Sequence, residues 1–206
     1  MSQFFQIHPD NPQARLIKQA ADILRQGGLA VIPTDCAYAL ACRIGDKKAT
    51  ERMHRLRQLS PKHNFTLLCR DFSELATFAK VDNSQYRLLK AHTPGAFTFI
   101  LAATREVPRL LMHPKKRTIG IRVPANPIAM DLLQEMGEPL MTTSLILPGE
   151  DLPLSDPYEI RERLEHQLDL VLDGGFCGFE STTVIDLTED VPELLRQGVG
   201  DASAFL

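Results

Sequence analysis

The stretch GLAVIPTDCAYALAC, residues 28–42, is the longest apolar run of the chain, broken only by Pro33, Thr34, Asp35 and Tyr38. Val31 and Ile32 are β-branched and suit a buried strand. Pro33 then removes a ladder donor and holds the preceding residue extended, so the strand stops or bulges there. A second apolar segment, 37–42, begins shortly after it. Thr34 and Asp35 therefore sit at the mouth of two core segments with their side-chain oxygens presented outward, which is a place for a ligand. A plain turn explains the same two residues, because Thr and Asp after Pro commonly hydrogen-bond their own backbone. On the residues alone the turn is the favoured reading.

A chain of 206 residues with an ordinary apolar and charged content buries a full core and forms one large domain or at most two small ones. No apolar run approaches the roughly 20 residues needed to span a bilayer. The start MSQFFQIHPD has neither the basic flank nor the apolar core of a signal peptide, so a cytoplasmic protein with no membrane partner is expected. The four cysteines show no CxxC pairing, and three of them lie in apolar strand-like segments where a thiol acts as a small hydrophobe. Zinc and structural disulfides are not expected.

The net charge of −3 hides an asymmetry. Residues 1–129 carry 20 Lys and Arg against 9 Asp and Glu, whereas residues 130–206 carry 3 against 17. The basic excess is densest over 43–70, with Arg43, Lys47, Lys48, Arg52, Arg55, Arg57, Lys62 and Arg70, and recurs at Lys115, Lys116, Arg117 and Arg122. Such patches attract the phosphates of a nucleotide or of a nucleic-acid backbone. Two other readings stand beside that one. Charge runs are commonly solvated helix faces, and the acidic third can neutralise the basic part within the fold.

Outward from the opening stretch, strand-like and helix-like segments alternate. A first strand is expected at 4–7, followed by a helix capped by Asn11-Pro12, with Leu16, Ile17, Ala20, Ile23 and Leu24 on one face and Gly27-Gly28 as its stop. Asp46 caps a basic helix whose Ala49, Met53 and Leu56 share a face and which ends near Ser60-Pro61. Strand 65–69, helices 72–78 and 85–91, and strand 97–102 follow. In RTIGIRVPANP, residues 117–127, Ile119, Ile121 and Val123 alternate with Thr118, Gly120 and Arg122, the period of a strand with one apolar and one polar face. Asn126-Pro127 opens a further helix, closed by Gly137. Strand 140–144 ends in a cluster of hydroxyls, Asp156-Pro157 caps another helix, and strands at 168–172, 182–187 and 194–195 finish the chain. No repeat or linker divides it, so a single α/β domain over 1–206, with a twisted mixed sheet and flanking helices, is the economical architecture.

Several common sites are excluded. The Walker A spacing and GxSxG are missing, GGFCG at 174–178 lacks a strand-to-helix setting, and the six histidines show neither HExxH nor a Cys/His grouping, leaving a protein-held metal without support. What remains is hydroxyls and arginines at strand ends: Thr34, Thr118, Arg122, Thr143, Ser144, Ser181, Thr182 and Arg196. Such groups, with no evident base among them, suit a site that clamps a carboxylate and phosphates by charge-assisted hydrogen bonds. Each alone is an ordinary strand terminus; their joint occurrence carries the reading.

The segments VIPTDCAYALAC, GAFTFIL, TIGIRVPANP, TTS, ESTTVID and LLRQGVG follow one another in the order of similar segments in the YrdC-like family, and the chain resembles that family from about residue 14 to 200. The resemblance implies an open twisted α/β sheet, mixed parallel and antiparallel, around a concave, positively charged cavity. It also implies threonylcarbamoyl-AMP synthesis: L-threonine, bicarbonate and ATP, with Mg²⁺, give threonylcarbamoyl-adenylate and pyrophosphate, which feeds the N6-threonylcarbamoyladenosine modification of tRNA. Some members have been linked to tRNA or double-stranded RNA, which enter as further partners. By the same resemblance Thr34, Arg122, Ser144 and Ser181 belong to the threonine and bicarbonate site, with Arg122 clamping the carboxylate. Thr118 and Arg196 lie on the nucleotide side, and Arg57 and Ser144 fall on catalytic positions.

Two departures matter. The family's KxR falls on Arg57-Gln58-Leu59, and its SxN on Ser144-Leu145-Ile146. A phosphate clamp and a nucleotide contact are replaced by apolar side chains, which cannot supply directed hydrogen bonds. Weakened synthase chemistry is the expectation. The alternative is an RNA-binding or regulatory module that keeps the fold and has lost most catalysis.

Overall fold

Pro33 stops the strand before it. β2 is only Ala30–Ile32, wholly buried, and the chain turns through 33–38 before β3, Ala39–Arg43, returns antiparallel beside it. These two strands sit within one mixed sheet in the computed structural model, which describes residues 1–205. The other strands are β1 (Gln3–Gln6), β4 (Thr66–Leu68), β5 (Phe97–Ala102), β6 (Thr118–Arg122), β7 (Leu140–Ser144), β8 (Leu170–Asp173), β9 (Thr183–Asp186) and β10 (Glu193–Arg196). Their spatial order is β1-β8-β2-β3-β7-β4-β6-β5-β9-β10. Four neighbouring pairs are parallel: β1 with β8, β2 with β8, β4 with β6, and β5 with β9. The single α/β sheet with flanking helices therefore stands as expected.

The helices are α1 (Ala14–Arg25), α2 (Lys47–Arg57), α3 (Phe72–Phe78), α4 (Asn83–His92), α5 (Pro127–Met136) and α6 (Pro157–Leu164). They cover the two faces of the sheet unequally. One face packs Val31, Leu40, Leu67, Phe99, Ile121, Met141 and Ile185 against apolar residues of α2, α3, α4 and α6, forming the larger core. On the opposite face Ala30, Ile32, Ala39, Ala41, Leu170 and Leu172 pack against only α1 and α5. Beyond Leu68 of β4, these two helices leave the β4-β6-β5-β9 part of that face without an apolar cover, and there the strands carry Thr66, Thr98, Thr118, Gly120 and Arg122. The period-2 alternation of TIGIR puts Ile119 and Ile121 into the larger core and aims its polar partners at this open face. Among the described residues no helix is long and apolar enough to cross a membrane.

Caps decide where the helices start. Asp46, Asp71, Asp82, Asn126 and Asp156 each accept a backbone N–H of the first turn, and Gly137 closes α5 in a left-handed conformation. The expected Asn11-Pro12 cap is corrected. Gln13 is the cap residue of α1 and its side chain makes no capping bond; its Oε1 accepts from the His8 backbone N–H, while the Asn11 backbone N–H donates to His8 Nδ1. Buried Ile17, Ala20, Ala21 and Leu24 fix α1 by packing instead. Substituting Asn126→Ala should thus cost about 1 kcal/mol, whereas Asn11→Ala should stay within about 0.5 kcal/mol of the parent. Chemical denaturation of the two variants checks this, and equal losses would count against the assignment of caps.

Candidate active site

The uncovered part of the sheet forms the floor of a cavity of about 280 Å³. Thr66 and Gly120 are register partners, as are Ile100 and Gly120, Thr66 and Thr142, and Thr98 and Val184. All of these line the cavity. Gly120 keeps the floor low: a Cβ there would stand 3.4 Å from the Thr98 methyl and 3.5 Å from Thr66 Oγ1, so a methyl fits the fold but projects into the space. Six of the seven site residues expected from sequence meet around this cavity: Thr34, Thr118, Arg122, Ser144, Ser181 and Arg196.

Thr34 does not present its hydroxyl outward. It is buried, its Oγ1 donates to the Ala37 carbonyl at 2.6 Å, and it accepts from the Cys36 and Ala37 backbone N–H groups. The turn reading of this residue and its position in the cavity wall are both realised. Tyr38, fully buried, sends its hydroxyl to the Gly175 carbonyl at 2.6 Å and accepts from the Gly174 N–H, tying the glycine-rich loop to the same turn. Burial raises the thiol pKa values of Cys36 and Cys177, the latter to about 11, so both stay protonated at neutral pH.

Arg122 is the central charge. It lies at the end of β6, 7% exposed, and crosses to Asp35 in the turn after β2, where its Nη2 donates to Asp35 Oδ1 and approaches Cys36 Sγ at 3.4 Å. Its Nε is buried with no hydrogen-bond partner. Arg196 grips the Thr182 carbonyl with both Nε and Nη2, and the Thr182 hydroxyl meets Thr98 Oγ1 at 2.8 Å.

Arg57 stands apart from the other six. It does not line the cavity: its Nε donates to the Ile146 carbonyl at 2.5 Å, and its Nη1 donates to the Ser144 carbonyl at 2.6 Å and to Thr143 Oγ1 at 3.0 Å. Here the guanidinium braces the end of β7, because the carbonyls there satisfy its fork. Leu59, the other half of that motif, packs against the larger core.

The basic segment 43–70 is partly neutralised from within. Arg43 pairs with Glu138 and Arg52 with Asp169, both at 2.5 Å, and Arg70 lies near Asp71 and Glu74. Glu138 and Asp169 come from the acidic part of the chain. Lys47, Lys48, Arg55 and Lys62 remain exposed. Among the described residues no group of three or more His, Cys, Asp or Glu side chains could hold a metal ion.

Sequence reasoning missed His63, which lines the cavity from the α2–β4 connection, and Thr98 on its floor. Thr98 was recoverable, since it alternates with Phe97 and Phe99 in β5; His63 lies in an irregular segment with no period to expose it.

Residues 22–198 match the model of the Sua5/YciO/YrdC family, described as telomere recombination. The chain belongs to this family. It is 59% identical over 206 residues, all of both chains, to the protein YciO of Escherichia coli K12, and superposes on the crystal structure of E. coli YciO with a TM-score of 0.96. It is 31% identical over 185 residues to the threonylcarbamoyl-AMP synthase of Pyrococcus abyssi, covering 88% of this chain and 54% of that one. P. abyssi Sua5 in its complex with L-threonine gives a TM-score of 0.87 at 26% identity, over 96% of this chain and 58% of that one. The chain thus spans a little over half the length of these synthases and the whole of YciO.

The Arg122–Asp35 pair joins β6 to the turn between β2 and β3 across the cavity. Removing one partner of a buried pair strands the other, so Asp35→Ala should destabilise the fold by about 3 kcal/mol. Denaturation at neutral pH measures it; a loss below about 0.5 kcal/mol would mean the pair carries no structural weight.

Proposed function

We propose that the chain is a slow synthase of the threonylcarbamoyl-AMP type, joining L-threonine, bicarbonate and ATP. The observation that carries this is the Arg122 guanidinium in the cavity wall, paired through Nη2 with Asp35. A guanidinium at a cavity wall offers a ligand carboxylate charge-assisted bonds. Asp35 on the neighbouring Nη2 makes the site complementary to a zwitterion: the ligand carboxylate meets Arg122 while its ammonium approaches Asp35. The threonine complex of P. abyssi Sua5 and the threonylcarbamoyl-AMP synthases among the relatives support threonine as that amino acid.

In this reading the threonine ammonium gives up a proton to solvent, the amine then bonds the carbon of bicarbonate, and one bicarbonate C–O bond breaks with water leaving, to form a carbamate. A carbamate oxygen then attacks the α-phosphorus of ATP, and pyrophosphate leaves with the Mg²⁺ that accompanied the nucleotide. Ser144 and Ser181 offer hydroxyls beside the amino acid, and Thr118 and Arg196 serve the nucleotide. Turnover is slow because Leu59 and Ile146 offer no donors to the phosphates and Arg57 is engaged elsewhere. Losing one preorganised donor typically costs on the order of 10²- to 10³-fold in rate.

Calorimetry tests the amino-acid site directly. L-Threonine should bind, 3-hydroxybutyrate, which lacks the ammonium, should bind roughly tenfold more weakly, and Arg122→Ala should weaken threonine binding by roughly 1.5 to 3 kcal/mol. Pyrophosphate release with ATP, Mg²⁺ and bicarbonate should then depend on threonine. A folded parent protein that binds no threonine, or a folded Arg122→Ala that binds it unchanged, sinks the reading.

A further inference from the structure

His63 lines the cavity with its ring edge-on to Phe65, centroids 5.1 Å apart. Its Nε2 lies 3.0 Å from Thr143 Oγ1, and the same hydroxyl lies 3.0 Å from Arg57 Nη1. A guanidinium has only donors, so Thr143 Oγ1 accepts from Arg57. The single hydroxyl proton is then left for His63, which is the other group within reach. With Nε2 accepting, the proton of a neutral imidazole resides on Nδ1. Among the described residues the ring's hydrogen bond is made by Nε2, and the ring lies in the cavity wall.

The surroundings keep the ring neutral. Burial, first, and then Arg57 and His54 of α2 hold His63 below its ordinary value of 6.5. From β7 the hydroxyls of Thr142, Thr143 and Ser144 stand at the cavity wall, the aromatic Phe65 precedes β4, and no carboxylate is among the groups that shift the ring. Protonation of Nε2 would take away the acceptor of the Thr143 hydroxyl proton and place a second cation beside Arg57, so acid weakens the arrangement. The sign follows: with the folded value lowered, this contribution to stability is complete above 6.5 and is lost as the pH falls through the lower folded value.

We propose that His63 is a ligand-binding residue of this cavity, a neutral Nδ1–H donor to an oxygen of the reacting acyl or phosphoryl group, with Thr143 and Arg57 as the positioning residues that fix its tautomer. A neutral donor holds such an oxygen without surrendering its proton, which suits charge that builds and decays during group transfer. The identity of the ligand rests on the proposed function; the tautomer does not. Arg57, displaced from the cavity, thereby acts on the site through Thr143.

Imidazole nitrogen NMR of the ligand-free protein, with His63 assigned by His63→Asn, should show the Nδ1–H tautomer at neutral pH and a titration below 6.5. Thr143→Val should release the lock, giving Nε2–H character and a higher midpoint. The Nδ1 signal should shift on addition of Mg-ATP, L-threonine or bicarbonate, singly or together. In pyrophosphate release, His63→Gln should lose roughly 3- to 10-fold in kcat with little change in the threonine KM, and His63→Asn, whose amide nitrogen reaches the Nδ1 place, should lose less than His63→Gln. An Nε2–H tautomer in the parent, a tautomer indifferent to Thr143→Val, an Nδ1 signal unmoved by all three compounds, or equal kinetics for the two His63 variants would each overturn the proposal. Loss of threonine binding and turnover in the parent would fail the synthase reading, while the tautomer and the response to Mg-ATP and bicarbonate would still decide the role of His63.

Discussion

Every strand has two faces, and a wide sheet must cover both or leave one to water. Here the larger core takes one face across most of the width, while on the other α1 and α5 cover β1, β8, β2 and β3 and only Leu140 of β7 and Leu68 of β4 beyond them. The rest of that face must therefore carry side chains that tolerate solvent. Thr66, Thr98, Thr118 and Thr142 meet that demand, keeping β-branched shape for the strand and a hydroxyl for water or a ligand. The cavity is what unequal coverage leaves behind, and its polarity follows from the same cause as the dryness of the opposite face.

Within that polar surface most groups are already satisfied. Thr34 spends its oxygen on its own turn, Thr98 and Thr182 on each other, and Arg196 on the Thr182 carbonyl. Self-satisfaction makes the walls rigid, and a rigid wall is what lets a small number of free donors select a ligand. Against this background the Arg122 guanidinium, a buried charge in the cavity wall paired with Asp35, is informative in a way that a row of exposed hydroxyls is not.

The fold was legible wherever a local rule had a local cause. The alternation in TIGIR, the caps at Asp46, Asn126 and Asp156, and the stop at Pro33 all act through neighbours in sequence, and the elements appear where those rules put them. Asn11-Pro12 misled because α1 is held by burial of Ile17 and Leu24, a tertiary effect that needs no cap. Site residues at strand ends were legible for the same reason as the strands. The partners of those residues were not: Asp35 meets Arg122 across 87 positions, and His63 meets Thr143 across 80. No period or motif encodes such a meeting; only the closed sheet does.

Arg57 shows how the shape of a cation decides where it settles. A lysine presents a compact charge on a flexible stem, able to follow a phosphate, whereas an arginine presents a planar fork that seeks several fixed acceptors at once. The end of β7 supplies such acceptors in the Ser144 and Ile146 carbonyls and the Thr143 hydroxyl, so the fork is satisfied inside the wall. Leu59, two residues on, packs against the larger core. Arg57 thus ties α2 to the strand that carries Ser144, and its charge is part of the frame behind the cavity wall.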